Sequence, residues 1–313
     1  MASELQLVAI TSGDDVGSDF WNETVDLLNR LEASWSRFVP DSDVTRLNLG
    51  HSRLIDVDPS TITLVDAMVR AWRLTDHRFD PTTLRALTDA GYSTSIVDPR
   101  LVTILPSGDV HLEDADGAQP TMDDIEVAGH AIRLPAGMTI DAGGIGKGLA
   151  ADLAVAHALE SGAHGAMASI GGDVAMSGRP PEGGWTIRVE SPVPDDGLVG
   201  TIAVSGGGVA TSSTRSRRWW HDGAEQHHVI DPWTGAPSAT DLWSVTVVAR
   251  SGWLAEAHAT AALLAGSDHV VDYLDRNLLS GVAVVDDGRV VTTEDLSQLE
   301  RSPSTAPNSR VVR

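Results

Sequence analysis

The chain has 313 residues, 44 acidic against 22 basic, and its formal net charge of −22 disfavours phosphate backbones as general partners, so no nucleic acid is expected to bind. It contains no cysteine, which excludes disulfides, thiolate metal sites and a cysteine nucleophile within it, and no lipid-modified N-terminal cysteine is expected. Hydrophobic residues make up 42% of the chain, enough for a sizeable core, and no segment approaches the ~18 consecutive apolar residues that membrane insertion needs.

Met1 to Gly13 shows no basic region followed by an apolar run, so the expectation is a cytoplasmic protein. Phe20, Leu27, Leu28, Leu31 and Trp35 recur near helical spacing and predict a helix over Asp19–Trp35. A second amphipathic helix follows Ser60, with Leu64, Met68 and Trp72 four apart. Leu101–Leu112 alternates around Pro106-Ser107-Gly108 and predicts a hairpin. Lys147–Glu160 is an alanine-rich helix closed by Gly162. Short β-type runs follow at Thr186–Val189, Thr201–Val204 and Leu242–Ala249. A helix covers Trp253–Leu264, and a hairpin surrounds Asp287-Gly288. Arg301–Arg313 carries little apolar content and is expected to be a disordered tail after one domain spanning residues 1–300. Helices and hairpins alternate without a regular βαβ period, which favours an α+β fold over a doubly wound sheet.

Of the 22 basic residues only Lys147 is a lysine, and it sits in Asp141-Ala142-Gly143-Gly144-Ile145-Gly146-Lys147-Gly148 at a helix entrance. Glycines allow close backbone approach to a ligand, and a helix N-terminus offers free N–H groups to an anion. A Walker P-loop fails here, because Asp141 stands where its first glycine belongs and Gly148 follows the lysine. The dinucleotide fingerprint fails on spacing after Gly146. Two readings stay open: a tight strand-to-helix turn with a solvated lysine, or a phosphate or cofactor loop.

Glu256 and Thr260 are four apart on one helix and face the same way, as oxygen ligands of Mg²⁺ or as a polar surface stripe. His228 precedes a short apolar strand and a turn, and is either a general base near neutral pH or an ordinary surface histidine. Arg215, Arg217, Arg218, Trp219 and Trp220 upstream could pair and stack with a nucleotide or cap a sheet edge.

Taken in order, these segments resemble the ApbE family of FAD:protein FMN transferases. The matching stretches run from Trp35-Ser36-Arg37-Phe38-Val39-Pro40-Asp41-Ser42-Asp43 and Arg46-Leu47-Asn48 to Arg78-Phe79-Asp80-Pro81-Thr82-Thr83-Leu84 and Gly91-Tyr92. They continue through Ile140–Gly148, Ile170-Gly171-Gly172-Asp173, Val209-Ala210-Thr211-Ser212, His228–Gly235 and Ala255–Thr260. The resemblance implies a T-fold-like arrangement of antiparallel sheet and helices. It implies an enzyme that cleaves the FAD pyrophosphate with Mg²⁺, passes FMN phosphoryl to a threonine of an acceptor protein and releases AMP. Residue by residue, it implies Gly144, Glu256 and Thr260 as Mg²⁺ ligands, with Glu256 standing where the family usually carries aspartate. It implies His228 as general base, and Phe38, Arg78, Phe79, Asp80, Lys147, Ala150, Thr211 and Val229 on the FAD. Two other activities fit the same residues: an FAD pyrophosphatase giving FMN and AMP, and a flavin-binding protein without turnover.

Overall fold

A computed structural model of the chain describes residues 4–12, 19–95, 98–106, 120–193 and 197–296. Its first strand, β1 (Leu5–Ile10), leads into α1 (Asp19–Trp35), α2 (Asp43–Asn48), β2 (Ile55–Asp56), α3 (Pro59–Leu74) and α4 (Leu84–Asp89). Short strands β3 (Glu126–Ala128) and β4 (Ala131–Arg133) precede α5 (Gly146–Glu160). Then come β5 (Gly165–Ile170), β6 (Asp173–Gly178), β7 (Trp185–Glu190), β8 (Leu198–Val204) and β9 (Gly207–Ser213). Two small hairpins follow, β10 (Arg218–His221) with β11 (Ala224–His227), and β12 (Ile230–Asp231) with β13 (Ala236–Pro237). The chain continues through β14 (Leu242–Ala249), α6 (Gly252–Leu263), α7 (Val270–Arg276), β15 (Ser280–Val285) and β16 (Val290–Thr292).

Seven strands form one sheet in the order β1-β5-β6-β9-β14-β15-β16, and every neighbouring pair is antiparallel. The α+β class read from the sequence is the class observed. One face of the sheet carries α5 over β5 and β6, and α6 over β9 and β14. The other face is covered by the β7–β8 hairpin, where Trp185, Val174, Met176 and Val209 bury together. Because α5 and α6 lie between sheet and outer helices, they are apolar nearly all round and rich in alanine.

Local chemistry explains the outer helices. In α1 the buried residues Phe20, Thr24, Leu31 and Trp35 follow helical spacing and lie on one face. In α3, Pro59 occupies the first turn while the Asp58 carboxylate accepts the Ser60 N–H at 2.8 Å. The helices over Asp19–Trp35 and beyond Ser60, the hairpin around Asp287-Gly288 and the strand Leu242–Ala249 stand where the sequence placed them. The tip of the hairpin expected over Leu101–Leu112 and the tail Arg301–Arg313 lie outside the described residues.

Candidate functional site

The site forms where α5 and α6 cross. A Cβ on Gly148 would lie 2.4 Å from the Gly252 carbonyl oxygen, and one on Gly252 would lie 2.6 Å from that of Gly148. Only glycine at both positions lets the two backbones touch. From α5, Asp152 accepts the Gly252 and Trp253 N–H groups at 2.8 and 3.0 Å, a carboxylate on the first turn of α6. The contact brings the Gly148 N–H to the Glu256 carboxylate at 2.8 Å.

The lone lysine sits at the centre of this crossing. The Lys147 ammonium bonds Glu256 and lies 2.7 Å from the Asp173 carboxylate. Both carboxyl side chains are nearly inaccessible, at 5% and 6% exposure, so the solvated-lysine reading is set aside. Burial alone would lower the ammonium, but Asp173 and Glu256 outweigh it and hold Lys147 above its ordinary value. Burial raises the Glu256 carboxyl; Lys147 pulls it back and Asp173 raises it further. Two carboxylates facing one ammonium leave a buried excess of negative charge. Asp173 follows Gly171 and Gly172, whose φ of 59° and 92° turn β5 back into β6 and aim the carboxylate inward. The sequence showed that motif without assigning Asp173 a role; a carboxylate behind a Gly-Gly turn was the available signal.

Thr260 lies one turn beyond Glu256, and its hydroxyl shares a 2.9 Å hydrogen bond with that of Ser212 on β9. Strand alternation then sends Thr211 to the opposite face, where its hydroxyl meets that of Thr246 at 2.8 Å. Ser212, rather than Thr211, is thus the β9 residue on the Glu256 and Thr260 side. Among the described residues, no group of three or more His, Asp or Glu side chains could by itself hold a metal. The donors present are hard oxygens: two carboxylates, hydroxyls and the carbonyls of the glycine loop.

A second wall comes from the N-terminal half. Asp76 and His77 take φ of 50° and 64°, His77 stacking 3.6 Å from Trp72, and this turn ends α3 and projects Arg78-Phe79-Asp80. Phe79 is buried against Gly144, where a Cβ would lie 2.9 Å from its ring. Asp80 caps the next turn through the Thr82 N–H at 2.8 Å, and Arg78 lies 5.2 Å from the Trp233 ring. Asn48 clamps the loop entrance, donating to the Ile140 carbonyl at 2.9 Å and accepting its N–H at 2.8 Å. Arg37, which the sequence left without a role, reaches Asp141 at 3.4 Å and Thr103 at 2.7 Å. Its guanidinium also stands 4.3 Å from the Phe38 ring and 4.9 Å from that of Tyr92. Tyr92 in turn stacks 5.1 Å from Trp219 of the β10–β11 hairpin. Ala150 and Val229 are buried in the main core cluster.

His228 follows that hairpin. Its neighbour His227 turns away to the Ser238 carbonyl at 3.0 Å. The His228 ring N–H donates to the Ser216 backbone carbonyl. Its Nδ1 is buried without a partner among the described residues. Burial, then the charges of Arg217, Lys147 and His227, push the imidazole down to about 3, so it is neutral at physiological pH. Lys147, His228 and the Glu256 helix therefore share one neighbourhood, joined by Phe79 through Gly144. His258, between Glu256 and Thr260, points elsewhere and bonds the Tyr273 hydroxyl at 2.7 Å.

A model of the ApbE family matches residues 1–285. A relative from Vibrio cholerae named FAD:protein FMN transferase is 26% identical over 269 residues, covering 84% of this chain and 78% of its own. One of the same name from Salmonella typhimurium is 26% identical, covering 81% of this chain and 73% of its own. A third, from Klebsiella pneumoniae, is 35% identical over 113 residues, 36% of this chain and 34% of that protein. Among solved structures, the ApbE protein of Thermotoga maritima superposes with a TM-score of 0.77 at 26% identity, covering 96% of this chain and all (100%) of that one. The apo flavinyl transferase ApbE of Pseudomonas stutzeri superposes with a TM-score of 0.75 at 22% identity, covering 96% and 98%, and shares the fold.

Proposed function

Because the chain belongs to the ApbE family, we propose that it is an FAD:protein FMN transferase using Mg²⁺ and a threonine of an acceptor protein. The observation that carries this reading is the buried Lys147–Asp173–Glu256 cluster beside a neutral His228. In the reaction, the acceptor hydroxyl oxygen bonds the FMN phosphorus. The bond from that phosphorus to the bridging pyrophosphate oxygen breaks, and AMP leaves with the oxygen. The hydroxyl proton passes to His228, whose unpartnered Nδ1 has a lone pair to receive it. Burial is the main cause of the depressed His228, and an incoming pyrophosphate offsets the smaller part that comes from Arg217 and Lys147, raising its basicity in that measure. Phe38, in the aromatic run with Tyr92 and Trp219, supplies a face for the flavin.

The residues fit a divalent cation, since the cluster holds one more buried carboxylate than ammonium and every available donor is oxygen. Glu256, Thr260 and the Gly144 carbonyl would hold it. Bound there, Mg²⁺ neutralises charge developing on the pyrophosphate. Glu256 reaches Gly148 and Lys147 from α6, and its extra methylene relative to the family's usual aspartate is used for those contacts.

Incubating the protein with FAD, Mg²⁺ and a threonine-containing acceptor peptide, then weighing the intact peptide, tests the proposal. A gain equal to an FMN phosphoryl group, lost without Mg²⁺, supports it. FMN and AMP with an unmodified peptide would make the protein a pyrophosphatase, and intact FAD would make it a binding protein.

A further inference from the structure

Three arginines lie at the entrance of the β10–β11 hairpin, Arg215 and Arg217 before it and Arg218 as its first residue, and two have partners. Arg215 lies 5.3 Å from the Trp243 ring, and Arg218 bonds Glu225 at 2.8 and 2.5 Å. Arg217 is exposed, and its guanidinium makes no hydrogen bond or ion pair among the described residues, although acidic residues outnumber basic ones two to one along the chain. Its backbone is held at φ 49°, a left-handed conformation that disfavours non-glycine residues.

The register shows where Arg217 stands. Arg218 and His227 form the last pair of the hairpin ladder, and Arg217 and His228 are the residues that flank that pair on its two strands. Ser216, the preceding residue, contacts the His228 ring through its backbone, and the Arg217 charge is felt there. A pyrophosphate approaching this point meets the negative excess of the Lys147 cluster, which one ammonium does not offset. An arginine fork has the geometry to hold two phosphoryl oxygens.

On the flavin-transfer reading above, we infer that Arg217 binds the FMN phosphoryl group as it passes to the acceptor hydroxyl at His228. The fork would contact the non-bridging oxygens, while bond making at the acceptor oxygen and bond breaking toward AMP proceed as described. Its role would be to meet charge that grows as the phosphoryl moves.

Arg217→Gly is the informative variant, because glycine adopts φ 49° without strain and the melting temperature should hold or rise. The expected result is a fall in kcat of about 100-fold with FAD affinity changed by less than about tenfold. Millimolar guanidinium should restore part of the rate, and Arg217→Lys should recover part of it by returning the charge without the fork. A kcat within about threefold of the unsubstituted chain, or a loss that neither guanidinium nor lysine repairs, would overturn the assignment. If the unsubstituted chain transfers no FMN, the flavin-transfer reading fails instead. If FMN and AMP are then released to water, Arg217 is judged on the rate of that cleavage, where a kcat within about threefold between the two proteins refutes it.

Discussion

Replacing Gly148 by alanine separates two roles of the α5–α6 crossing, holding the fold and shaping the site. The added Cβ would lie 2.4 Å from Gly252 O, 2.5 Å from Gly252 C and 2.8 Å from Trp253 N, all backbone atoms. None can rotate away, so relief to an ordinary contact of ~3.4 Å requires the helices to part by about 1 Å. That movement stretches the Gly148 N–H to Glu256 bond from 2.8 Å to beyond hydrogen-bond reach. Overpacking costs about 1–3 kcal/mol, and removing a donor from a buried carboxylate adds about 1.5–3. Helix propensity returns about 1 kcal/mol for glycine to alanine, leaving a net loss of about 1.5–5 kcal/mol. Gly143→Ala is the control: its Cβ would meet only the movable Asp141 carboxylate at 3.1 Å, so the cost should stay under about 1 kcal/mol. Urea unfolding of both variants, with Mg²⁺ titration of FAD cleavage, reads the two roles. Equal stability of the variants, or unchanged Mg²⁺ dependence in Gly148→Ala, would refute the crossing as the element that sets Glu256.

His228→Ala should abolish transfer while leaving FAD affinity within a few fold, measured by flavin fluorescence; a large affinity loss would remove the base assignment. Folded His228 stays neutral down to about 3 while the unfolded residue protonates near 6.5, so stability falls as pH drops through that window. His258, lowered to about 4 by burial and then by Arg250, acts in the same direction. His228→Asn should therefore flatten the acid-side loss by about 3 kcal/mol at pH 4, and unchanged acid unfolding would contradict the burial of the ring. Lys147→Ala should weaken FAD binding and also lower stability by about 3–5 kcal/mol, because it strands Asp173 and Glu256 as uncompensated buried charges. A variant of full stability would show the cluster to be solvated. Phe38→Ala should weaken FAD binding by about 1 kcal/mol, roughly fivefold, and no change by titration would place the flavin elsewhere.

Periodic elements were legible in the sequence because their pattern is carried by side chains facing a single core. Asp19–Trp35 and Leu242–Ala249 coincide with α1 and β14 for that reason. The sheet order was not legible: β1, β5, β6 and β9 contain small residues such as Gly165, Ala166, Ala168, Ala175 and Ala210, and their pairing depends on partners far along the chain. Glu256 shows the same limit at the site. Its spacing to Thr260 was visible, but its burial at 4% is set by Gly148 and Gly252, 104 residues apart in the chain (252 − 148). Thr211 and Ser212 were indistinguishable as neighbours in a motif; only the strand's facing separates them.

The Asn48 clamp on Ile140 has a consequence for how the molecule assembles. A side-chain amide here satisfies both backbone groups of a residue 92 positions away, doing across the fold what a strand neighbour does within a sheet. The glycine loop carries local bonds of its own, such as the Gly146 N–H to the Ala142 carbonyl, but its entrance is fixed only when the first helices close on it, a contact of long sequence separation formed against loop entropy. The Ile140 amide should exchange its hydrogen only when residues near Asn48 open with it, tying the loop's lifetime to that of the N-terminal half.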